Sequence, residues 1–257
     1  VALLGIVEGI TEFLPVSSTG HLILLIDLLG FNAPEGKVFE VVVQLGAILA
    51  ICIVFRERVT DVVCHLHHKK STQKFVGLVI LAFLPAAVIG AFGHHFIKEV
   101  LFSPIVVSVM LVIGGVMILI IERCKPPATI HHVDAMGAKQ AIIIGFCQAL
   151  AMIPGTSRSG ATMMGGLLMG IDRKTAAEFS FLLAIPTMAA ATAYDLYKNF
   201  HHLSLDDGLM IGVGFMTAFL SALVTVRFLL GFLAHHGFGV FAWYRIALGC
   251  VMLLLLH

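Results

Sequence analysis

Long apolar runs separated by short polar segments cover most of the chain. A helix needs about 20 apolar residues, with a range of about 17–25, to cross roughly 30 Å of hydrocarbon. Runs of sufficient length fall at 38–55, 75–93, 105–121, 175–198, 208–231 and 241–257. This pattern predicts an all-α integral membrane protein with six transmembrane helices.

Two further apolar stretches are interrupted by polar residues. Residues 1–29 are broken at Pro15–Gly20, and residues 139–170 are broken at Pro154–Gly160. The halves on either side are too short to span a bilayer. Irregular backbone at membrane depth is tolerated only inside protein or beside a water-filled cavity. We therefore predict two re-entrant helix–loop–helix hairpins.

Composition excludes several classes of protein. Of the 257 residues, 59% are hydrophobic and 12% are charged, whereas a soluble domain carries about 25% charged residues. This rules out a soluble enzyme, a disordered chain and a secreted disulfide scaffold, and it favours a single membrane domain over 1–257. The net charge of +1 gives no reason to expect a nucleic-acid partner. Five cysteines without CxxC spacing argue against a disulfide or zinc framework.

The distribution of basic residues predicts the orientation. When the six spans alternate, twelve Lys and Arg residues fall on one side, which the positive-inside rule makes cytoplasmic. The other side has three: Lys37, Lys98 and Lys198. The twelve are Arg56, Arg58, Lys69, Lys70, Lys74, Arg123, Lys125, Lys139, Arg173, Lys174, Arg227 and Arg245. We expect the first hairpin to open on the extracytoplasmic side.

The two broken segments belong to an internal repeat. A shift of 140 residues aligns several small and polar residues without gaps, which divides the chain into repeats at about 1–121 and 139–257. Each repeat has one hairpin and three spans, so the second copy must be inverted in the membrane. Inverted repeats with discontinuous helices are typical of transporters, and the breaks mark the binding site. The aligned pairs are Gly5/Gly145, Glu8/Gln148, Ser17/Ser157, Thr19/Ser159, Gly20/Gly160 and Phe39/Phe179.

The first hairpin carries two carboxylates. Glu8 and Glu12 are four residues apart, so they lie on the same face of a helix. One charge at bilayer depth costs about 2.5–3.5 kcal/mol on insertion scales, so two like charges indicate a cation between them. Carboxylates together with phosphate oxygens commonly hold Mg²⁺. The alternatives are protonation of one carboxylate or an ion pair with Arg158.

Hydroxyl groups follow these carboxylates. Ser17, Thr19 and Gly20 at the start of a helix favour anion binding by exposed backbone N–H groups. His21 lies in the first turn, from which its imidazole should reach the Ser18 hydroxyl. A hydroxyl with a neighbouring base is the minimum for nucleophilic catalysis. The alternative is simple helix capping with His21 as a satisfied polar residue.

The second hairpin repeats the cap chemistry and adds a cation. Ser157, Ser159 and Gly160 match the first cap, and the Arg158 guanidinium offers a bidentate fork to phosphate oxygens. Thr162 lies one turn into the helix, where it either contributes to binding or bonds back to the helix. A structural ion pair is the alternative for Arg158. Together the hairpins carry the parts that phosphoryl transfer needs.

These residues resemble a known family, the bacterial undecaprenyl-pyrophosphate phosphatases of the bacitracin-resistance type. EGITEFLPVSSTGH at 8–21 resembles the first family signature with its E/Q-x3-E pattern, and PGTSRSGAT at 154–162 resembles the second, PGxSRSxxT. The similarity extends to 39–50 and 178–186. The first hairpin looks trimmed, and since the chain begins at Val1 rather than Met we expect further N-terminal sequence.

The resemblance implies a specific activity. The family hydrolyses undecaprenyl pyrophosphate to the monophosphate at the outer face of the cytoplasmic membrane, with a divalent cation such as Mg²⁺ or Ca²⁺. By that resemblance the active-site positions are Glu8, Glu12, Ser18, His21 and Arg158. Membrane lipids and a prenyl pyrophosphate are the expected partners. The sequence leaves open the preferred cation, the chain-length selectivity and the oligomeric state, a homodimer included.

Two other functions fit the sequence less well. A transporter or lipid flippase for a phosphorylated prenyl lipid would suit an inverted repeat, but it would not need a nucleophile and base beside a metal. Phosphatidic-acid-type phosphatases need His and Asp at fixed spacing after Ser157-Arg158, and Met164 and Leu168 stand there instead. Attack by Ser18 and direct attack by water activated by His21 both remain open.

Overall fold

The fold consists of helices. A computed structural model of the chain describes residues 1–29, 38–96, 103–199 and 208–255, and within these ranges it contains no β-strand. A 3₁₀ turn at Val133–Ala135 precedes α7. The helices are α1 Ala2–Thr11, α2 Ser18–Leu29, α3 Val38–Val54, α4 Arg56–His65, α5 Lys70–Phe96, α6 Pro104–Cys124, α7 Ala138–Leu150, α8 Arg158–Leu168, α9 Arg173–Asn199, α10 Gly208–Leu233 and α11 Gly239–Leu255.

Several helices are suited to a bilayer. In the described ranges, four contain a stretch long and apolar enough to cross it: Lys70–Phe92, Pro104–Cys124, Arg173–Tyr194 and Gly208–Leu233. They coincide with four of the six predicted spans. The other two predictions fall on α3 and α11, which have 17 residues each. Large apolar side chains such as Phe92, Val224 and Trp243 face outward, as lipid contact requires. The chain is therefore a multi-pass membrane protein.

Both predicted interruptions lie at loops between short helices, but each loop begins and ends three residues earlier than expected, because residues 18–20 and 158–160 already belong to helices. The first loop (residues 12–17) separates α1 from α2, and the second loop (residues 151–157) separates α7 from α8. Helix α1 packs on α10 while α7 packs on α5. Both contacts use a glycine: a Cβ at Gly5 would lie 2.6 Å from the carbonyl oxygen of Gly214, and one at Gly145 would lie 2.6 Å from that of Ala82.

A hydrophobic cluster anchors the first loop. Phe13 is fully buried and meets Phe181 of α9 edge-to-face, with ring centroids 5.5 Å apart. The cluster also includes buried residues of α3, α8 and α10, among them Ala47, Met163 and Val226. Because Phe13 follows Glu12 directly, this packing fixes where the Glu12 carboxylate can lie.

Close packing of α6 on α11 buries an arginine. A Cβ at Gly115 would lie 2.7 Å from the carbonyl oxygen of Ala242, and one at Gly249 would lie 2.7 Å from that of Ser108. Arg245, on the same face of α11, has no exposed surface. Counting Arg245 among the cytoplasmic charges was therefore wrong, because its guanidinium points into the protein. The predicted count then becomes eleven basic residues against three, and of these three Lys37 and Lys98 lie outside the described residues.

Candidate active site

The two loops meet at one polar cavity. It has a volume of about 240 Å³, roughly eight times the ~30 Å³ that a water molecule occupies in the liquid. This size suits a phosphate headgroup and not a long lipid chain. Each loop and the helices α2, α3, α8 and α9 contribute to the lining, which consists of Glu12, Ser17, Ser18, Thr19, Gln44, Ala151, Pro154, Gly155, Ser157, Arg158, Thr187, Met188 and Ala191.

Glu12 joins the two loops at this cavity. Its Oε2 accepts a hydrogen bond of 2.7 Å from the Ser18 hydroxyl, and its Oε1 lies 3.3 Å from Nη2 of Arg158. The side chains of Arg158 and Glu12 are 13% and 10% exposed. The structure therefore brings Glu12, Ser18 and Arg158 together, and the contact of Glu12 with Arg158 is the ion pair that the sequence left open as an alternative. A carboxylate that accepts the proton of a hydroxyl group is placed to increase the nucleophilicity of that hydroxyl.

Arg158 keeps donor capacity for a ligand. Its Nη1 donates to the carbonyl oxygen of Ser180 at 3.1 Å. Its Nε and the nearby Thr156 hydroxyl are buried without a hydrogen-bond partner in the structure. Buried polar groups are normally satisfied, so such exceptions need an explanation. Phosphate oxygens accept from a guanidinium in a bidentate manner, which would satisfy the Arg158 donor.

The hydroxyls of Ser157 and of the first turns of α8 bond to protein groups. The Ser157 hydroxyl caps α8 by accepting from Gly160 N at 3.1 Å, and Ser159 donates to the carbonyl oxygen of Leu14 at 2.9 Å. Thr162 bonds back to the carbonyl oxygen of Arg158 at 2.8 Å, which is the alternative that its position in the helix suggested. Ser17, Thr19 and Ser157 line the cavity as expected. Four predicted substrate-binding residues lie behind its wall instead: Gly20, Ser159, Gly160 and Thr162.

His21 does not contact Ser18, contrary to the sequence-based prediction. Its Nδ1 lies 2.8 Å from the carbonyl oxygen of Ser17, and its Nε2 lies 2.6 Å from the hydroxyl of Tyr244. Because a carbonyl oxygen only accepts, Nδ1 carries a proton, and in the neutral ring Nε2 accepts from Tyr244. The Ser18 side chain turns back from the start of α2 toward Glu12. Glu12, and not His21, is thus the acceptor beside the hydroxyl.

The chain is similar to known proteins over nearly its whole length. A family model described as "Bacitracin resistance protein BacA" matches residues 1–251. The chain belongs to this family. A protein of Paramagnetospirillum magneticum named "Undecaprenyl-diphosphatase 2" is 56% identical over 254 residues, covering 99% of this chain and 97% of the relative.

Two further relatives give the same picture. "Undecaprenyl-diphosphatase 2" of Shewanella oneidensis is 53% identical over 252 residues, covering 97% of this chain and 94% of the relative. "Undecaprenyl-diphosphatase" of Aromatoleum aromaticum is 52% identical over 251 residues, covering 98% and 92%. The similarity therefore includes both loops and every helix around the cavity.

Of the two carboxylates predicted to hold a metal, only Glu12 lines the cavity. Glu8 lies one turn before Glu12, is 4% exposed and does not line the cavity. Among the described side chains, no group of three or more His, Cys, Asp and Glu residues could hold a metal ion. Glu12 with the Ser18 hydroxyl still forms a set of hard oxygen donors. This set fits Mg²⁺ or Ca²⁺ when substrate oxygens supply further ligands.

Two residues of α11 that lie beside the site were not among the site residues predicted from the sequence. Tyr244 contacts His21 through its hydroxyl group, and its ring lies parallel to the imidazole. Arg245 reaches both loops from behind the cavity. The signal for Arg245 was an arginine within an apolar run, which is a functional residue by default. Because Arg245 lies near one end of the apolar run 241–257, the positive-inside rule assigned it to the cytoplasmic side.

Proposed function

We propose that this chain hydrolyses undecaprenyl pyrophosphate to undecaprenyl phosphate and inorganic phosphate, which recycles the lipid carrier for bacterial cell-wall synthesis. The observation that carries this proposal is the position of Glu12, whose carboxylate contacts a hydroxyl nucleophile and an arginine in one small polar cavity. The names of the relatives agree with this activity.

A second cavity offers room for the lipid chain. It has a volume of about 540 Å³ and a mainly apolar lining from α5, the end of α7, the second loop and α9. It shares four residues with the polar cavity: Ala151, Arg158, Thr187 and Ala191. Phe83, Ala87 and Met152 are among its lining residues. A diphosphate bound at Arg158 would therefore direct the first isoprene units into an apolar space. Lipid would surround the rest of the chain.

The arrangement supports covalent catalysis. The Ser18 oxygen attacks the terminal phosphorus, its proton passes to Glu12, and the bridging P–O bond breaks to release undecaprenyl phosphate. Water then cleaves the phosphoserine and releases inorganic phosphate. Arg158 offsets the charge that develops on the transferred group. Direct attack by water held at Glu12 is the second route.

A divalent cation belongs to this proposal as well. Glu12 would hold Mg²⁺ or Ca²⁺ at the cavity, where the ion would neutralise phosphate charge. Glu8, one turn away in α1, is the second predicted ligand, and its place behind the cavity wall makes it the weaker candidate. The Arg158 guanidinium would then bind the phosphate in place of the Glu12 carboxylate.

We further propose six spans, two re-entrant hairpins and an inverted repeat, with the active site open to the extracytoplasmic side of the cytoplasmic membrane. Equivalent packing of α1 on α10 and of α7 on α5 supports the repeat. In the described residues, Ser17 and Ser157 alone among non-glycines have a positive φ, at 70° and 73°, and they lie 140 positions apart. The excess of basic residues at the opposite ends of the spans supports the orientation.

Phosphate release tests the function directly. Purified protein in detergent should release inorganic phosphate from undecaprenyl pyrophosphate, EDTA should abolish the release, and added Mg²⁺ or Ca²⁺ should restore it. Ser18→Ala should be inactive, while Ser71→Ala, an exposed serine of α5, serves as the matched control. A transporter would release no phosphate in detergent, so a silent wild-type protein in the presence of either ion would overturn the proposal.

Thiol labelling tests the orientation. In a background without the five native cysteines, a membrane-impermeant reagent should label a cysteine at position 32 from outside intact cells. A cysteine at Ser71 should react only after permeabilisation. Asn32 lies outside the described residues, and Ser71 is exposed at the start of α5. The reverse pattern would contradict the extracytoplasmic site.

A further inference from the structure

Arg245 is a fully buried cation that is bound entirely by backbone carbonyls in the described structure. Its five N–H donors are all used. Nη1 donates to the carbonyl oxygens of Thr156 at 2.9 Å and Pro15 at 3.2 Å. Nη2 donates to those of Gly155 at 2.8 Å and Met110 at 3.2 Å, and Nε donates to that of Leu111 at 3.4 Å.

These five acceptors belong to three separate parts of the fold. Pro15 is in the first loop, Gly155 and Thr156 are in the second loop, and Met110 and Leu111 are in α6. One guanidinium therefore fixes the two loops relative to each other and to the α6–α11 pair. Two direct side-chain contacts also join the first loop to the start of α8. The Ser159 hydroxyl donates to the carbonyl oxygen of Leu14, and the Arg158 guanidinium contacts the Glu12 carboxylate.

The bonds to Arg245 also orient the peptide groups of the second loop. In a trans peptide the C=O and the following N–H point in opposite directions. Since the carbonyl of Thr156 points to Arg245, the N–H of Ser157 points away from it, and Ser157 lines the cavity. The same residue holds a positive φ of 73°, which is a strained conformation for a non-glycine. Surrounding bonds must maintain such a conformation.

We propose that Arg245 is a positioning residue, which holds the loop of Glu12 and the loop of Arg158 at the separation and orientation that the reaction requires. This inference rests on the proposed phosphatase function. It assigns to Arg245 no contact with substrate, because its guanidinium lies wholly behind the two loops. Its charge, compensated only by carbonyl dipoles, adds positive potential beneath a cavity that receives a diphosphate.

Arg245→Lys gives the main test. Lysine keeps the charge but has three donors on a compact ammonium and cannot reproduce the planar five-donor fork. A misplacement of about 1 Å far from the chemistry can lower rate by about 10²-fold. We expect kcat to fall roughly 10- to 100-fold in monodisperse, folded protein. The matched control is Arg227→Lys in α10, whose exposed side chain does not line the active-site cavity, and its kcat should be unchanged.

Gly114→Ala displaces the same guanidinium without altering its charge. A Cβ at Gly114 would overlap Nη2 of Arg245 and lie 2.7 Å from its Cζ, so the fork must move. Gly212→Ala in α10 is the matched control, because no atom lies within 4 Å of its new Cβ. We expect Gly114→Ala to reduce kcat in the same direction as Arg245→Lys, and Gly212→Ala to retain wild-type turnover.

Hydrogen–deuterium exchange in detergent provides a measurement that does not depend on activity. In Arg245→Lys and in Gly114→Ala, amides of both loops should exchange faster, while those of α5 and α10 remain as in the wild type. Native kcat in folded Arg245→Lys, or faster exchange confined to α6 and α11, would overturn the positioning role. Failure of the phosphatase function would look different, because the wild type itself would release no phosphate while the exchange result would stand.

Discussion

In the unit formed by α1 and α2, the loop holds Ser17 at a φ of 70°, and in the unit formed by α7 and α8, the loop holds Ser157 at 73°. Both units press a glycine against a backbone carbonyl of a long helix, Gly5 on α10 and Gly145 on α5. The backbone design is thus the same in the two units, down to the strained residue before the second helix.

Their side chains differ. The first unit supplies the acidic and nucleophilic groups, Glu12 and Ser18, and the second supplies the cation Arg158. Neither unit alone contains a complete set for phosphoryl transfer, since charge neutralisation and attack come from opposite loops. The two units therefore enclose one cavity together, and their different side chains divide the chemistry between its walls.

The largest effect on turnover should come from a change at Glu12, the acidic residue of the first unit. Glu12→Gln keeps the shape of the side chain but removes the charge that accepts from Ser18 and pairs with Arg158. We expect turnover to fall at least 10³-fold, because proton acceptance and cation binding are lost together. Phosphate release from the prenyl pyrophosphate measures this. Glu57→Gln in the first turn of α4 is the control, and Glu12→Gln activity that persists in EDTA would contradict the assignment.

The next largest effect on turnover should come from the loss of Arg158, the cation of the second unit. Arg158→Ala should lower kcat about 10²–10³-fold, the usual effect of removing one group that stabilises developing charge. Arg158→Lys should recover part of the loss, since it keeps the charge without the fork. Thermal stability in the same detergent must be measured in parallel. Equal losses of stability and turnover would instead favour a structural ion pair with Glu12, because an unpaired buried charge destabilises a protein.

Sequence alone could predict which residues assemble but not every contact. The positions of both loops followed from polar residues within apolar runs, and the meeting of Glu12, Ser18 and Arg158 followed from their chemistry. The partner of Ser18 did not follow, because helical spacing places His21 near Ser18 without showing where either side chain turns. Burial of Phe13 beside Phe181 directs the Glu12 carboxylate to the hydroxyl, and that contact is between distant segments.

Arg245 shows the other limit of sequence reasoning. Positive-inside statistics assign an arginine near the end of an apolar run to the cytoplasm. The structure differs because Gly114 and Gly115 of α6 let α11 approach closely enough to bury the Arg245 side chain. Five carbonyl groups contributed by three segments then satisfy it. Such a binding site depends on tertiary packing and leaves no local pattern.

The apolar cavity lies beside the second loop, so a change there should have a smaller, selective effect. Ala87→Phe in α5 should narrow this cavity without touching the polar one. We expect KM for undecaprenyl pyrophosphate to rise about 10-fold, while hydrolysis of a short-chain prenyl pyrophosphate changes less. Ala247→Phe on the exposed face of α11 is the control. An equal effect on both substrates would place the lipid chain elsewhere.

The smallest effect should be on stability, and it tests whether the two units are equivalent in packing. A Cβ at Gly5 and a Cβ at Gly145 would each lie 2.6 Å from a carbonyl oxygen, that of Gly214 and that of Ala82. Backbone cannot rotate away as a flexible side chain can, so Gly5→Ala and Gly145→Ala should each cost about 1–3 kcal/mol by overpacking. Thermal unfolding in detergent would measure both.

Gly77→Ala in α5 controls for helix propensity, because nothing lies within 4 Å of its new Cβ. Alanine is favoured over glycine within a helix by about 0.8–1 kcal/mol, so this variant should be as stable as the wild type or more so. If Gly5→Ala were destabilised and Gly145→Ala were not, the second unit would be able to move away from α5 while the first could not move away from α10. The shared backbone design would then extend to the loops but not to the helix contacts that support them.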